Sequence, residues 1–91
     1  MEKNDVMTLK LVTGEELLVK YDSETSDHIL FTKPMVAEYT AQGFILYPYL
    51  MTAKQGEVLS LEKNKVLISC ITESDIATAY IEKTTGLTLV K

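Results

Sequence analysis

Residues 9–21, LKLVTGEELLVKY, hold two apolar-rich segments broken at Thr13-Gly14, with the acidic pair Glu15 and Glu16 directly after the break. Glycine takes the positive φ of a tight hairpin turn without steric cost, so residues 8–12 and 15–21 are expected as paired antiparallel strands. Within the second segment Leu17, Val19 and Tyr21 alternate with Glu16, Leu18 and Lys20, the period of a half-buried strand. Adjacent strand residues point to opposite faces, which places Glu15 and Glu16 poorly for a carboxylate dyad and makes them the solvated end of a hairpin.

The same period continues downstream. Residues 22–27, DSETSD, are six polar residues in a row and read as a loop. Residues 28–33 and 35–40 are strand-like runs interrupted by Pro34, whose missing N–H implies a bend or bulge inside one curved strand. A turn at residues 41–43 leads into FILYPYLM, residues 44–51, followed by a polar turn at 52–56, a short strand at 57–61, a tight connection at 62–65 and a last strand at 66–72. With the Pro34 region taken as one bent strand the expected count is five, in a small antiparallel barrel or sandwich. The period then lengthens. Thr72-Glu73-Ser74-Asp75 fits a helix-capping pattern, Ile76, Ala79 and Tyr80 fall at helical spacing, and Gly86 suits a helix C-terminus. One short amphipathic helix is expected to cover a mouth of the barrel, with Leu87 and Leu89 in an extended tail.

Ninety-one residues make one domain, residues 1–91, with a single small core, and a domain of this size gains from burial through self-association. The formal charge is −4, all nine basic residues are Lys, and Arg is absent. This balance repels phosphate backbones and removes the side chain best suited to duplex DNA readout. One cysteine excludes an intrachain disulfide framework and a cysteine-based metal cluster. No apolar run approaches membrane-spanning length and the first residues lack a signal-peptide pattern, so a cytoplasmic location without membrane contact is expected.

An enzyme needs groups with matched roles within reach of one another. The one cysteine, Cys70, lies in VLISCIT and reads as a buried, inert thiol, while His28 reads as a surface residue at a strand end. Nothing in their spacing requires them to meet. The acidic loop Asp22, Glu24 and Asp27 lacks the glycine and terminal glutamate of a calcium loop. No catalytic residue, metal site or cofactor is expected. FILYPYLM carries no charge, so if Phe44, Leu46 and Leu50 fill the core, Ile45, Tyr47, Tyr49 and Met51 form an apolar patch on the other face. Either the helix or a neighbouring strand covers that patch, or it is a subunit interface, and both can hold together. For single-stranded nucleic acid, Tyr47 and Tyr49 offer stacking platforms, and Lys54, Lys63 and Lys65 cluster in the two later connections.

The glycine hairpin, the curved strands and the tight last connection together resemble the Sm-like (LSm) family, closest to the short Sm-like proteins associated with tailed phages. The likeness covers most of the chain. Leu11-Val12-Thr13-Gly14-Glu15-Glu16 with its alternating apolar continuation is similar to the first Sm motif, and Tyr21-Asp22 to its aromatic-acid ending. The resemblance implies a strongly bent five-stranded antiparallel barrel of the Sm-like or SH3-like kind; family members with RNA-binding roles begin with a helix, whereas this chain is read as carrying one C-terminal helix. It also implies a homo-oligomeric ring of roughly five to seven subunits, pentamer or hexamer favoured, closed by strand-edge pairing between neighbours. The pairing strands would be residues 57–61 and 66–72, with Leu59, Leu61, Leu67, Ser69 and Ile71 joining Ile45, Tyr47, Tyr49 and Met51 at the interface. The last connection, Glu62-Lys63-Asn64-Lys65-Val66, lacks the Arg-Gly or Lys-Gly step of the second motif. The first motif's uridine-reading Asn is not recognisable in residues 23–27, so the likeness supplies no RNA-binding residue. Two functions are expected of such a ring: it binds single-stranded RNA through its lysine-bearing loops, with Lys54, Lys63 and Lys65, or it is a structural or adaptor ring that binds proteins and no nucleic acid.

Overall fold

A computed structural model describes residues 1–85 of the chain. It contains β1 (Val6–Leu11), β2 (Glu16–Glu24), β3 (His28–Thr40), β4 (Gly43–Pro48), β5 (Leu59–Glu62), β6 (Val66–Ile71) and α1 (Ser74–Thr85), with a single 3-10 turn, Lys63–Lys65, between β5 and β6. All strand pairs are antiparallel. Six strands replace the expected five, but they form five rows. β4 pairs with residues 35–40 of β3 and β5 with residues 28–31, so the two lie in succession along one row beside β3. The remaining order is β3, β2, β1, β6. The sheet is not closed: β6 is one edge and the β4/β5 row the other.

Local chemistry sets the elements. Gly14 holds φ at 108° and donates its N–H to the Leu11 carbonyl at 2.9 Å, closing the hairpin between β1 and β2. β2 continues to Glu24, three residues past the expected boundary, because Ser23 and Glu24 still pair with Leu30 and Ile29. The register between β2 and β3 slips between the pairs Leu18–Met35 and Lys20–Thr32, leaving Lys33 and Pro34 as the bulge expected at the proline. Lys33 takes a φ of +56°, a conformation normally left to glycine. β3 therefore bends without breaking, and a 13-residue strand serves two neighbours on one side.

The sheet has a core on each face. Met7, Leu9, Leu17, Val19, Ile29 and Phe31 lie in the larger one, and Leu59 and Leu61 of β5 and Val66 of β6 pack against it, so both edge rows curl toward the same core. On the other face Val6, Leu18 and Met35 are covered by Tyr80 of α1, with Leu46, Ile76 and Ala77 at the margin. The helix thus lies against a sheet face, not over a barrel mouth. It is capped by Glu73, whose carboxylate accepts the N–H groups of Asp75 and Ile76 at 3.1 and 3.2 Å. Thr72, the expected cap residue, instead shares a hydroxyl hydrogen bond of 2.9 Å with Thr8. Gly86, Leu87 and Leu89 fall outside the described residues.

The strand expected over residues 44–51 stops at Pro48, since a proline there cannot continue the ladder. Its proposed core set is also corrected. Phe44 and Leu46 are only half-buried, and Leu50 lies beyond the strand and is exposed. Among the described residues, no helix is long and apolar enough to cross a membrane.

Candidate functional site

Among the described residues strand β6 is paired on one side only, and its register shows what that leaves open. Ser69 and Ile71 sit opposite Leu9 and Met7, both buried in the larger core, so they face the same side of the sheet. Both are nevertheless exposed, as are Leu67 and Ile68, at 64% and 61%. The core simply runs out at this edge. At the far edge Tyr47 sits opposite the buried Val36, and Ile45 opposite Glu38, which puts both on that same face. They too are exposed, at 41% and 40%. The nearby Glu38 carboxylate is the first cause that holds the Tyr47 pKa above the ordinary phenol value. On the opposite face of the same two strands Tyr39 and Phe44 pack edge to face, centroids 5.6 Å apart.

The remaining predicted interface residues divide. Tyr49 and Met51 are exposed in the connection between β4 and β5, Met51 most fully. Leu59 and Leu61 turn inward and pack against the larger core of their own chain. β5 therefore presents its backbone at the free edge, and these two leucines do not extend the apolar patch.

The lysines predicted to cluster do not share one site. Lys63 is held by Glu24 at 2.9 Å, and Glu24 also accepts the Tyr21 hydroxyl at 3.0 Å. The hydrogen bond from Lys63 is the main reason the Glu24 carboxyl lies below its usual range, with the Tyr21 bond second. Lys65 ends the 3-10 turn, where its carbonyl accepts the Val12 N–H at 2.9 Å. Lys54 belongs elsewhere: it borders a cavity of about 250 Å³ with Lys33 and Lys83.

Cys70 is exposed on β6, which corrects the expectation of a buried thiol: an edge strand has no neighbour to cover it. His28 opens β3 and pairs with Glu62, whereas Cys70 pairs with Thr8 on β1, so the topology keeps the two in different rows. The Thr13 hydroxyl bonds the Glu15 carboxylate and is the first cause of its lowered pKa, consistent with a solvated turn. No group of three or more His, Cys, Asp or Glu side chains able to hold a metal ion occurs among the described residues.

No family model matches the chain, and no curated protein matches it.

The cavity beside Lys54 went unseen in the sequence because its walls come from four separate segments. Pro34 and Met35 of β3, Pro48 at the end of β4, and Leu50 and Leu59 line it. Tyr80 fixes the bulge from below: its hydroxyl donates to the Lys33 carbonyl at 2.6 Å. Burial pushes the Tyr80 phenol far above its usual pKa, so it remains a neutral donor. The only advance signal was Lys33-Pro34 itself, a charged residue placed at a predicted bulge.

Proposed function

We propose that this chain is a non-enzymatic, Sm-like protein that assembles with copies of itself into a ring and acts as a structural or adaptor scaffold. The observation that carries this is the exposed edge strand β6. Leu67 and Ile71 lie open at the border of the core, beside a row of unpaired backbone groups. Such an edge invites strand addition unless something covers it. The opposite edge supplies a fitting surface, with Ile45 and Tyr47 exposed on the core-facing side of β4. A contact between two different edges is heterologous, and it closes into a ring when the rotation per subunit permits. The family likeness of the hairpin motif supports the same reading, with five to seven subunits.

The test is solution mass by light scattering. A mass several times the 10.2 kDa chain is expected at micromolar concentration, and a mass of one chain overturns the ring. Ile71→Glu and Tyr47→Glu, on opposite edges, should each dissociate the assembly while leaving the circular dichroism of the chain intact. An unchanged mass in both would place the contact elsewhere.

Single-stranded RNA binding is the second reading. It is favoured by Lys54 and Lys65, which have no ion-pair partner among the described residues. Fluorescence anisotropy with short labelled oligonucleotides decides between the two. RNA binding requires affinity that falls steeply with salt, and no binding at low salt leaves the scaffold.

A further inference from the structure

We infer that the cavity between the β3 bulge and the last turn of α1 binds a small phosphate monoester carried on a compact apolar body. Small-ligand sites combine apolar walls with convergent polar groups, and this cavity carries both, with Gln55 and Thr84 adding to its polar side. Pro34, Met35, Pro48, Leu50 and Leu59 are the apolar part of the lining, and Lys33, Lys54 and Lys83 border it as well. Glu57 is the one acidic residue in the same lining, leaving a formal excess of two positive charges among the residues that border the cavity. A phosphate monoester carries about −1.5 to −2 near neutral pH, which complements that excess.

The concentration of charge is selective. The chain as a whole is acid-rich at −4, yet three of its nine lysines border this one cavity. A neighbouring cavity of about 240 Å³ shares Lys33 and Thr84 and adds Lys20. None of these four ammonium groups has an ion-pair partner among the described residues, unlike Lys3 and Lys63, which pair with Asp22 and Glu24. Lys83, in the last helical turn, also offsets the carbonyl end of α1.

Lys33 is placed at a cost. Its φ of +56° is unfavourable for a non-glycine residue and more so before a proline, where the left-handed region is crowded. Backbone strain of this kind persists where surrounding structure enforces it, here through the Tyr80 hydroxyl bond and the β2–β3 register slip. The result is a lysine fixed at the junction of both cavities. Whether the ester is a free metabolite or the terminal phosphate of a single-stranded oligonucleotide, the recognised chemistry is the same. The inference does not rest on ring formation.

Calorimetric titration of the full chain with phenyl phosphate, inorganic phosphate and phenol tests the assignment. Phenyl phosphate is expected to bind at least tenfold more tightly than inorganic phosphate, phenol not measurably, and the affinity should fall as pH drops through the second phosphate ionisation near 6. Lys33→Gln and Lys54→Gln should each weaken binding about tenfold, whereas Lys65→Gln should not, with light-scattering mass and circular dichroism unchanged in all three. A 5′-phosphorylated oligonucleotide that competes with phenyl phosphate would identify nucleic-acid ends as a source, and failure to compete would identify a free ester. Absence of phenyl phosphate binding at low salt, or binding undiminished in Lys33→Gln and Lys54→Gln, overturns the site.

Discussion

Strands β2 and β6 are built from similar residues and end in opposite environments. In β2 the consecutive Leu17, Leu18 and Val19 are all essentially inaccessible, because one face meets the larger core and the other lies under α1. In β6 every residue after Val66 is exposed. Hydrophobicity is the same kind of signal in both. What differs is the number of neighbours: β2 has a strand on each side and a helix above, while β6 has one strand beside it among the described residues. An apolar strand left open in this way is what the proposed subunit contact would cover.

The largest expected effect measures that contrast directly. Leu18→Ala should lower the unfolding free energy by about 2–5 kcal/mol, through lost burial and a residual cavity under Tyr80. Ile68→Ala, in urea denaturation at a concentration where the chain is monomeric, should cost no more than about 0.5 kcal/mol. Equal losses would break the comparison, since β6 would then be as well covered as β2.

Tyr80→Phe sharpens the covered side. Packing on Leu18 is kept, but the Lys33 carbonyl loses its donor at the bulge, with an expected loss of about 1–3 kcal/mol. A smaller loss would mean that the β2–β3 register alone holds the bend. Glu73→Ala removes the side-chain cap of α1 and should cost about 1 kcal/mol in the same denaturation experiment.

The smallest effect lies beside the open edge, at the Lys63–Glu24 pair. The Glu24 carboxyl is depressed in the folded chain, so its contribution to stability is present above the unfolded carboxylate pKa and disappears as pH falls through the folded value. In Lys63→Gln the Glu24 titration, followed by NMR, should move upward toward the ordinary carboxylate range. Stability near neutral pH should hardly change, because the pair is solvent-screened.

Much of the fold was legible because its causes are local. Gly14 announced a turn, Pro34 a bulge, and the change of period after Thr72 a helix. The misreadings have a common origin in position within the sheet. Cys70 was expected inside because VLISCIT is apolar, and Phe44 and Leu50 were assigned to the core for the same reason, whereas Leu46 does pack against the core under α1. Both stretches border free edges, where an alternating pattern does not guarantee a cover. The six polar residues after Tyr21 read as a loop, yet strand pairing with β3 carries β2 to Glu24.

The candidate sites were less legible than the fold. The alternation in β4 correctly set Ile45 and Tyr47 apart as an exposed pair, and proximity in sequence wrongly grouped Lys54 with Lys63 and Lys65. Lys33, Lys54 and Lys83 are brought to one cavity by a bulge, a connection and the end of a helix.

By itself, the sequence determined the antiparallel β architecture, the hairpin at Gly14, the bend at Pro34 and the closing helix, since glycine, proline and hydrophobic period act through backbone sterics over a few residues. Only the tertiary structure decided which apolar strand is buried and which is an edge, and which lysines converge. Those properties depend on row order in the sheet and on the face that α1 covers, which are set by contacts between residues far apart in the chain.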